Sequence, residues 1–207
     1  MEDILDVYTR KYDEHCVLIC MDEVPRQLIG ETRKPVPTGR GKIARYDTEY
    51  VRKGTCEIFM FAAPLQNWRR AEVTERRTRL DWALQIKKLI TVDFPNVKKI
   101  VLVMDNLNIH TAGSLYKAFP PEEAKRYRDI LEIHYTPKHG SWLNMAEIEI
   151  NILINHGLSK RVPIIAQMKK EVAAWSRTRN KTGKKTNWRF SINDARIKLK
   201  RLYPLFI

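Results

Sequence analysis

"IVLVMDNLNIHTAG", residues 100–113, decides how the chain is read. Five apolar residues run without a break into Asp105 and Asn106, then into a polar turn that carries His110. A short continuous apolar run bounded by polar residues fits a buried strand. "CVLICM", residues 16–21, has the same form and also stops at a carboxylate, Asp22. Each acid alone could simply cap the turn that follows. If the two strands are neighbours, both carboxylates leave the same sheet edge, where α/β proteins place their sites. Two close carboxylates repel and lose hydration, which is costly unless a cation lies between them. A hard divalent ion such as magnesium suits carboxylate oxygens and leaves room for water and phosphate.

A third ligand is expected from a helix beside the strands. The spacing after "TPKHGS" predicts one from about Trp142 to Leu158, entered through a Pro-Gly turn and a Ser141 cap. Asn144, Glu147, Asn151 and Asn155 fall on one polar stripe of that helix. Glu149 lies about 200° from Glu147, on the apolar face. Glu147 is therefore the expected ligand and Glu149 the reserve. The competing reading makes the stripe the solvated side of a surface helix.

The rest of the chain alternates between the two periods. "EIFMFAAPL" and "WRRAEVTER" read as consecutive strands turning at Gln66–Asn67, and "LEIHYT" as a further strand. Helical spacing marks 78–94, 112–128 interrupted at Pro120–Pro121, "IAQMKKEVAAWSRTR", and "INDARIKLKRLY" capped by Ser191 or Asn193. The order predicts an α/β fold, a mixed sheet flanked by helices. At 207 residues and 43% apolar content the chain suits one globular domain. No apolar run is long enough to span a bilayer, and the acidic start is not a signal peptide. Three cysteines, Cys16, Cys20 and Cys56, lack zinc-finger spacing and read as reduced thiols of a cytoplasmic protein.

Net charge is +14, and residues 159–207 carry most of it: fourteen Lys/Arg against Glu171 and Asp194. Interleaved with Trp175, Trp188, Phe190 and Tyr203, this charge points to a polyanion, most simply DNA. A solvated basic surface is the plainer alternative. Candidate phosphate contacts in this tail are Lys169, Lys170, Arg177, Lys184, Lys185 and Arg189. Residues 30–54, rich in Gly and Pro with seven Lys/Arg against three acids, are expected to form an extended basic arm offering Arg33, Lys34, Arg40 and Lys42.

"HYTPKHGSWLNMAEIE", with "VLVMDNLNIH", "CMDE" and the closing "NWRFSINDARIKLKRLYP", resembles the catalytic domain of bacterial insertion-sequence transposases of the mariner-related group, the DDE superfamily endonucleases. The resemblance implies an RNase H-like fold over 1–158, with 30–54 inserted as an arm and 159–207 as a basic helical part of the same domain. It places the family triad on Asp22, Asp105 and Glu147, holding two magnesium or manganese ions, with Asn106, His110, His139, Trp142 and Asn144 in support. The forty-one residues between Asp105 and Glu147 exceed the usual spacing, and the Pro120–Pro121 segment accounts for the excess. The implied function is cleavage of DNA at transposon ends and strand transfer to target DNA, by a homodimer on DNA in the bacterial cytoplasm, associated with the nucleoid. Such transposases carry an N-terminal helix-turn-helix domain, expected here as a missing partner. The alternatives are another RNase H-like nuclease or a truncated, non-catalytic DNA-binding remnant.

Overall fold

The two acid-ended runs become neighbouring strands. In the computed structural model, which describes residues 1–158, 160–183 and 185–203, β1 (Cys16–Glu31) lies parallel to β4 (Lys99–Met104). β2 (Tyr50–Ala63), β3 (Trp68–Thr74) and β5 (Leu131–Tyr135) complete a five-stranded sheet in the order β3-β2-β1-β4-β5. β2 runs antiparallel to β1 and β3, and β5 parallel to β4. The mixed sheet expected from the element order is therefore present.

Strand alternation divides the core in two. Ile19, Met21, Phe59, Phe61, Leu102 and Met104 face α2 (Arg79–Lys88), α3 (Ala112–Ala118) and α4 (Pro121–Ile130) through Trp82, Leu115 and Tyr127. Leu18, Cys20, Ile58, Met60, Val101 and Val103 face α1 (Glu2–Thr9), α5 (Ala146–Ile152), α6 (Ile165–Thr182) and α7 (Ile192–Lys198). Burial on both faces explains why the central strands read as unbroken apolar runs. Three helix starts follow their sequence signals, whereas the cap expected at Ser141 does not form. Thr78 with Asp81, and Ser191 with Asp194, form reciprocal capping boxes, and Pro121 opens α4.

Three expectations need correction. β1 does not stop at Asp22: it continues to Glu31, pairing only with β2 once β4 has ended. Beyond Asp22 its residues alternate in burial, a pattern that the apolar run could not announce. For the same reason the arm is shorter and more regular than residues 30–54. The β1–β2 ladder reaches Glu31 opposite Tyr50, and a nested hairpin is closed by bridges from Val36 to Arg45 and from Gly39 to Lys42. Gly41, at φ +71°, supplies the left-handed turn residue there. Arg161 ties the base of the arm, with Nη1 2.6 Å from Glu31 Oε2 and donating to the Glu49 carbonyl at 3.0 Å.

The third correction concerns the helix expected from Trp142 to Leu158. It is in pieces: a 3-10 turn at Ser141–Leu143, an extended Asn144 (ψ 109°), α5, and a π-helical turn at Leu153–Gly157. The break has a physical cause. Buried Asn144 donates to the Met21 carbonyl at 2.8 Å and accepts from Ala146 N at 3.1 Å, bonds that compete with a continuous helix.

α6 covers the outer edge of the sheet. Asn180 accepts from Arg69 N and donates to Arg69 O, both at 2.8 Å, and Ser176 Oγ accepts from Ala71 N at 3.3 Å. These side chains occupy backbone groups of β3 that would otherwise template pairing with another chain.

Candidate active site

The β1–β4 register pairs Cys20 with Val103, and two residues further on each strand stand Asp22 and Asp105. Both acids therefore stand at the same end of the β1–β4 pair, Asp22 within β1 and Asp105 one residue past the end of β4. Burial pushes the Asp22 carboxyl up to about 7; the Glu23 amide donating to it opposes this, and the charges of Glu23, Asp105 and Glu147 reinforce it. Asp105 and Glu147 thus lie close enough to act electrostatically on Asp22. Of the acids that the sequence singled out, Asp105 and Glu147 both bear electrostatically on Asp22.

Glu147 stands in the first turn of α5, partly exposed, while Glu149 is buried. Glu149 is engaged elsewhere. Its Oε1 lies 2.9 Å from Arg69 Nη2, and it accepts from Arg179 Nε at 2.8 Å and Nη2 at 3.0 Å. Burial alone would raise its pKa, but the two guanidinium groups outweigh it and hold the carboxyl below its ordinary value. Glu149 is saturated by arginine and has no role to spare for a metal.

Asn144 stitches the site together. Besides holding Met21 O, its Nδ2 lies 3.4 Å from Asp22 Oδ2, and Tyr8 Oη donates to the neighbouring Leu143 carbonyl at 2.6 Å. The other supporting residues separate. Asn106 and His139 line a cleft of about 450 Å³ beside Asp105, with Leu107, Thr136, Pro137, Lys138 and Ser141. His139 is held at φ +63° in the tight turn, where Gly140 N donates to Pro137 O at 2.8 Å and a Cβ on Gly140 would come within 2.6 Å of the proline ring. A non-glycine residue held left-handed beside a cleft marks a place where structure overrides local preference. Trp142 instead packs edge-on against Phe190, ring centroids 5.7 Å apart.

His110 is fully buried, with Nδ1 2.6 Å from Asp105 Oδ1 and Nε2 2.6 Å from Glu23 Oε1. Burial opposes the charged ring, but hydrogen bonds to the two carboxylates prevail and raise its pKa to about 9. Glu23, Asp105 and His110 form a cluster of ligand-type atoms within 4.8 Å of one another among the described residues. With a proton on each ring nitrogen, this cluster is an ion-paired chain rather than an open metal cage. The sequence reading missed Glu23. Its signal was available: it follows Asp22 directly, so strand alternation sends it through the sheet to the His110 side.

The basic positions are exposed, as a phosphate-binding surface requires: Lys34, Arg40 and Lys42 on the arm, Lys169, Lys170 and Arg177 on α6, and Lys185 and Arg189 after it. Arg33 is exposed but has Nε 3.3 Å from Asp47 Oδ2. Lys184 lies outside the described residues. Among the described residues of the tail, ion pairs join Arg161 with Glu31, Arg179 with Glu149, Arg196 with Glu2 and Lys198 with Asp194.

The profile of the DDE superfamily endonucleases matches residues 17–169, from the start of β1 into α6. The chain belongs to that family. Among solved structures it is similar to the Mos1 mariner paired-end complex with Mg, at 17% identity and a TM-score of 0.61 over 90% of this chain and 54% of that one. The paired-end complex with Mn matches at 17% identity and 0.55, covering 86% and 52%. The Mos1 strand transfer complex matches at 16% and 0.58, covering 85% and 51%. No curated protein sequence matches. The chain thus spans about half the length of the Mos1 chains, and it shares their RNase H-like fold: a mixed sheet flanked by helices. No helix among the described residues is long and apolar enough to cross a membrane.

Proposed function

We propose that this chain is the catalytic domain of a DNA transposase, with Asp22, Asp105 and Glu147 as its metal-binding triad. The observation that carries the reading is the placement of Asp22 and Asp105 at one end of the β1–β4 pair, where burial raises Asp22 and the charges of Asp105 and Glu147 add to it. An arrangement with so much unneutralised negative charge fits hard divalent cations held by oxygen, magnesium or manganese. Two such ions, when bound, would activate a water and stabilise the leaving 3′ oxygen of a DNA phosphodiester.

The chain's own residues supply the frame. Asp22 within β1 and Asp105 just past the end of β4 stand on hydrogen-bonded neighbours, and Glu147 comes from α5, which Asn144 pins to β1. The cleft beside Asp105 gives the scissile strand a place to lie, with Asn106, Lys138 and His139 at its wall. The exposed lysines and arginines of the arm and α6 hold the duplex by its phosphates, which positions without reading sequence. The same site serves cutting and joining, because a freed 3′-hydroxyl can take the place of water. A homodimer on DNA, with the basic arm reaching the second protomer or its DNA, completes the reading, and end recognition is assigned to a helix-turn-helix module outside this chain. Mos1, whose complexes are named for paired ends and strand transfer, has the same fold.

The test is nicking of pre-nicked and intact transposon-end DNA with magnesium or manganese, against a chelator control. Activity should need the metal, and Asp105→Asn and Glu147→Gln should each abolish it with DNA affinity equal or higher. Cleavage that survives Asp105→Asn would end the reading.

A further inference from the structure

Glu23 and His110 lie outside the triad, yet they are the most deeply buried charges near it and reach it through Asp105. Glu23 and His110 side chains are fully buried, whereas the Asp105 side chain is 37% exposed. One oxygen of Asp105 is therefore committed to His110 Nδ1 at 2.6 Å, and the residue as a whole reaches solvent at the cleft. His110 is fixed from three further sides. Its Nδ1 also lies 3.2 Å from the Asp105 carbonyl, its own carbonyl accepts from Tyr135 Oη at 2.6 Å, and its ring packs 5.9 Å from Trp82. Its far nitrogen is bound by Glu23, anchored on β1 one residue after Asp22.

Resting on the triad reading above, we infer that Glu23 is a positioning residue: through His110 it sets the orientation of the Asp105 carboxylate, leaving one Asp105 oxygen for metal. The physical argument is one of side-chain freedom. An aspartate at a strand end can swing about two bonds, and a metal site tolerates little such motion. Fixing a ligand by a hydrogen bond from a buried histidine, itself held by a second carboxylate, is the outer-shell arrangement that tunes metal sites. Here the chain also spans the two strand ends, since Glu23 belongs to β1 and Asp105 follows β4. The relative placement of Asp22 and Asp105 is thereby tied to one path, a hydrogen bond between Glu23 and His110 Nε2 and an ion pair between His110 Nδ1 and Asp105 Oδ1. Glu23 takes no metal itself, because strand alternation puts it on the opposite face from Asp22.

The experiment measures Mn2+ binding to the full chain by electron paramagnetic resonance, beside single-turnover nicking and thermal melting. Glu23→Gln should weaken Mn2+ affinity about 10- to 100-fold, as loss of an outer-shell partner does. In a His110→Asn background the same change should add nothing, because the path is already cut. If Glu23→Gln lowers only the melting temperature, or if its effect multiplies undiminished onto that of His110→Asn, the positioning role is wrong. If Glu23→Gln does not fold, His110→Gln carries the test, since its amide can reach one carboxylate but not both. Asp22→Asn and Glu147→Gln serve as references. Mn2+ binding indifferent to both overturns the triad reading and this role together; binding that needs both but ignores Glu23 overturns this role alone.

Discussion

Asp22 shows how one carboxylate can record its surroundings. Its pKa is raised from 3.8 to about 7, so the stability it contributes is complete below pH 4 and is lost as pH rises through 7. His110 is raised from 6.5 to about 9, so its contribution holds below 6.5 and is lost as pH rises through 9. Both act in the same direction. With chelator present, the melting temperature should fall as pH is raised from 5 to 9, and Asp22→Asn should flatten the lower half of that fall. Magnesium should restore stability at pH 8 in the wild-type chain and not in Asp22→Asn, because a cation favours the ionised carboxylate it binds. Melting curves across pH, with and without magnesium, check both statements.

At the scale of elements, α5 matters most, because it is short and has to present Glu147 accurately. Its roll is set by Glu149, whose buried carboxylate is gripped by Arg69 from β3 and Arg179 from α6. Removing one partner from a buried charge network leaves the others uncompensated, at a cost of about 3–5 kcal/mol. Glu149→Ala should therefore lower unfolding free energy in urea by that amount. A cost below about 1 kcal/mol would show that the network is dispensable. Gly157 offers a second test of the same packing. A Cβ there would stand 2.6 Å from the Trp175 ring, so Gly157→Ala should destabilise by overpacking, about 1–3 kcal/mol. Urea titration of both variants separates the charge contribution from the steric one.

Across the whole molecule, charge is the property that a binding partner meets first. Lys169, Lys170 and Arg177 stand exposed on α6 without occupying the core. If each neutralises one phosphate, replacing all three with glutamine should flatten the slope of log affinity against log salt by roughly 2.7, about 0.9 per contact. Binding of random duplex DNA by anisotropy between 50 and 300 mM salt measures it. An unchanged slope would make this face merely solvated. The arm belongs to this scale too. Deleting residues 32–49 should leave the sheet intact, because the ladder already closes at Glu31 and Tyr50, but should reduce dimer formation on DNA as seen by light scattering.

What the sequence by itself determined was everything that rests on local pattern. Continuous apolar runs announced the central strands and Ser191 announced the start of α7, because burial and backbone chemistry act over a few residues. The pattern also put Glu147 before Glu149 as a candidate ligand, from a helix longer than the one that forms. Only the tertiary structure decided the continuation of β1 past Asp22, the break at Asn144 and the partners of Glu149 and His110. Each depends on a group distant in sequence: Tyr50 for the strand, Met21 for Asn144, Arg69 and Arg179 for Glu149. Local periodicity reports which face is apolar, but not which buried polar atom will find which partner. That is settled by packing, where an unpaired charge is too costly to leave alone.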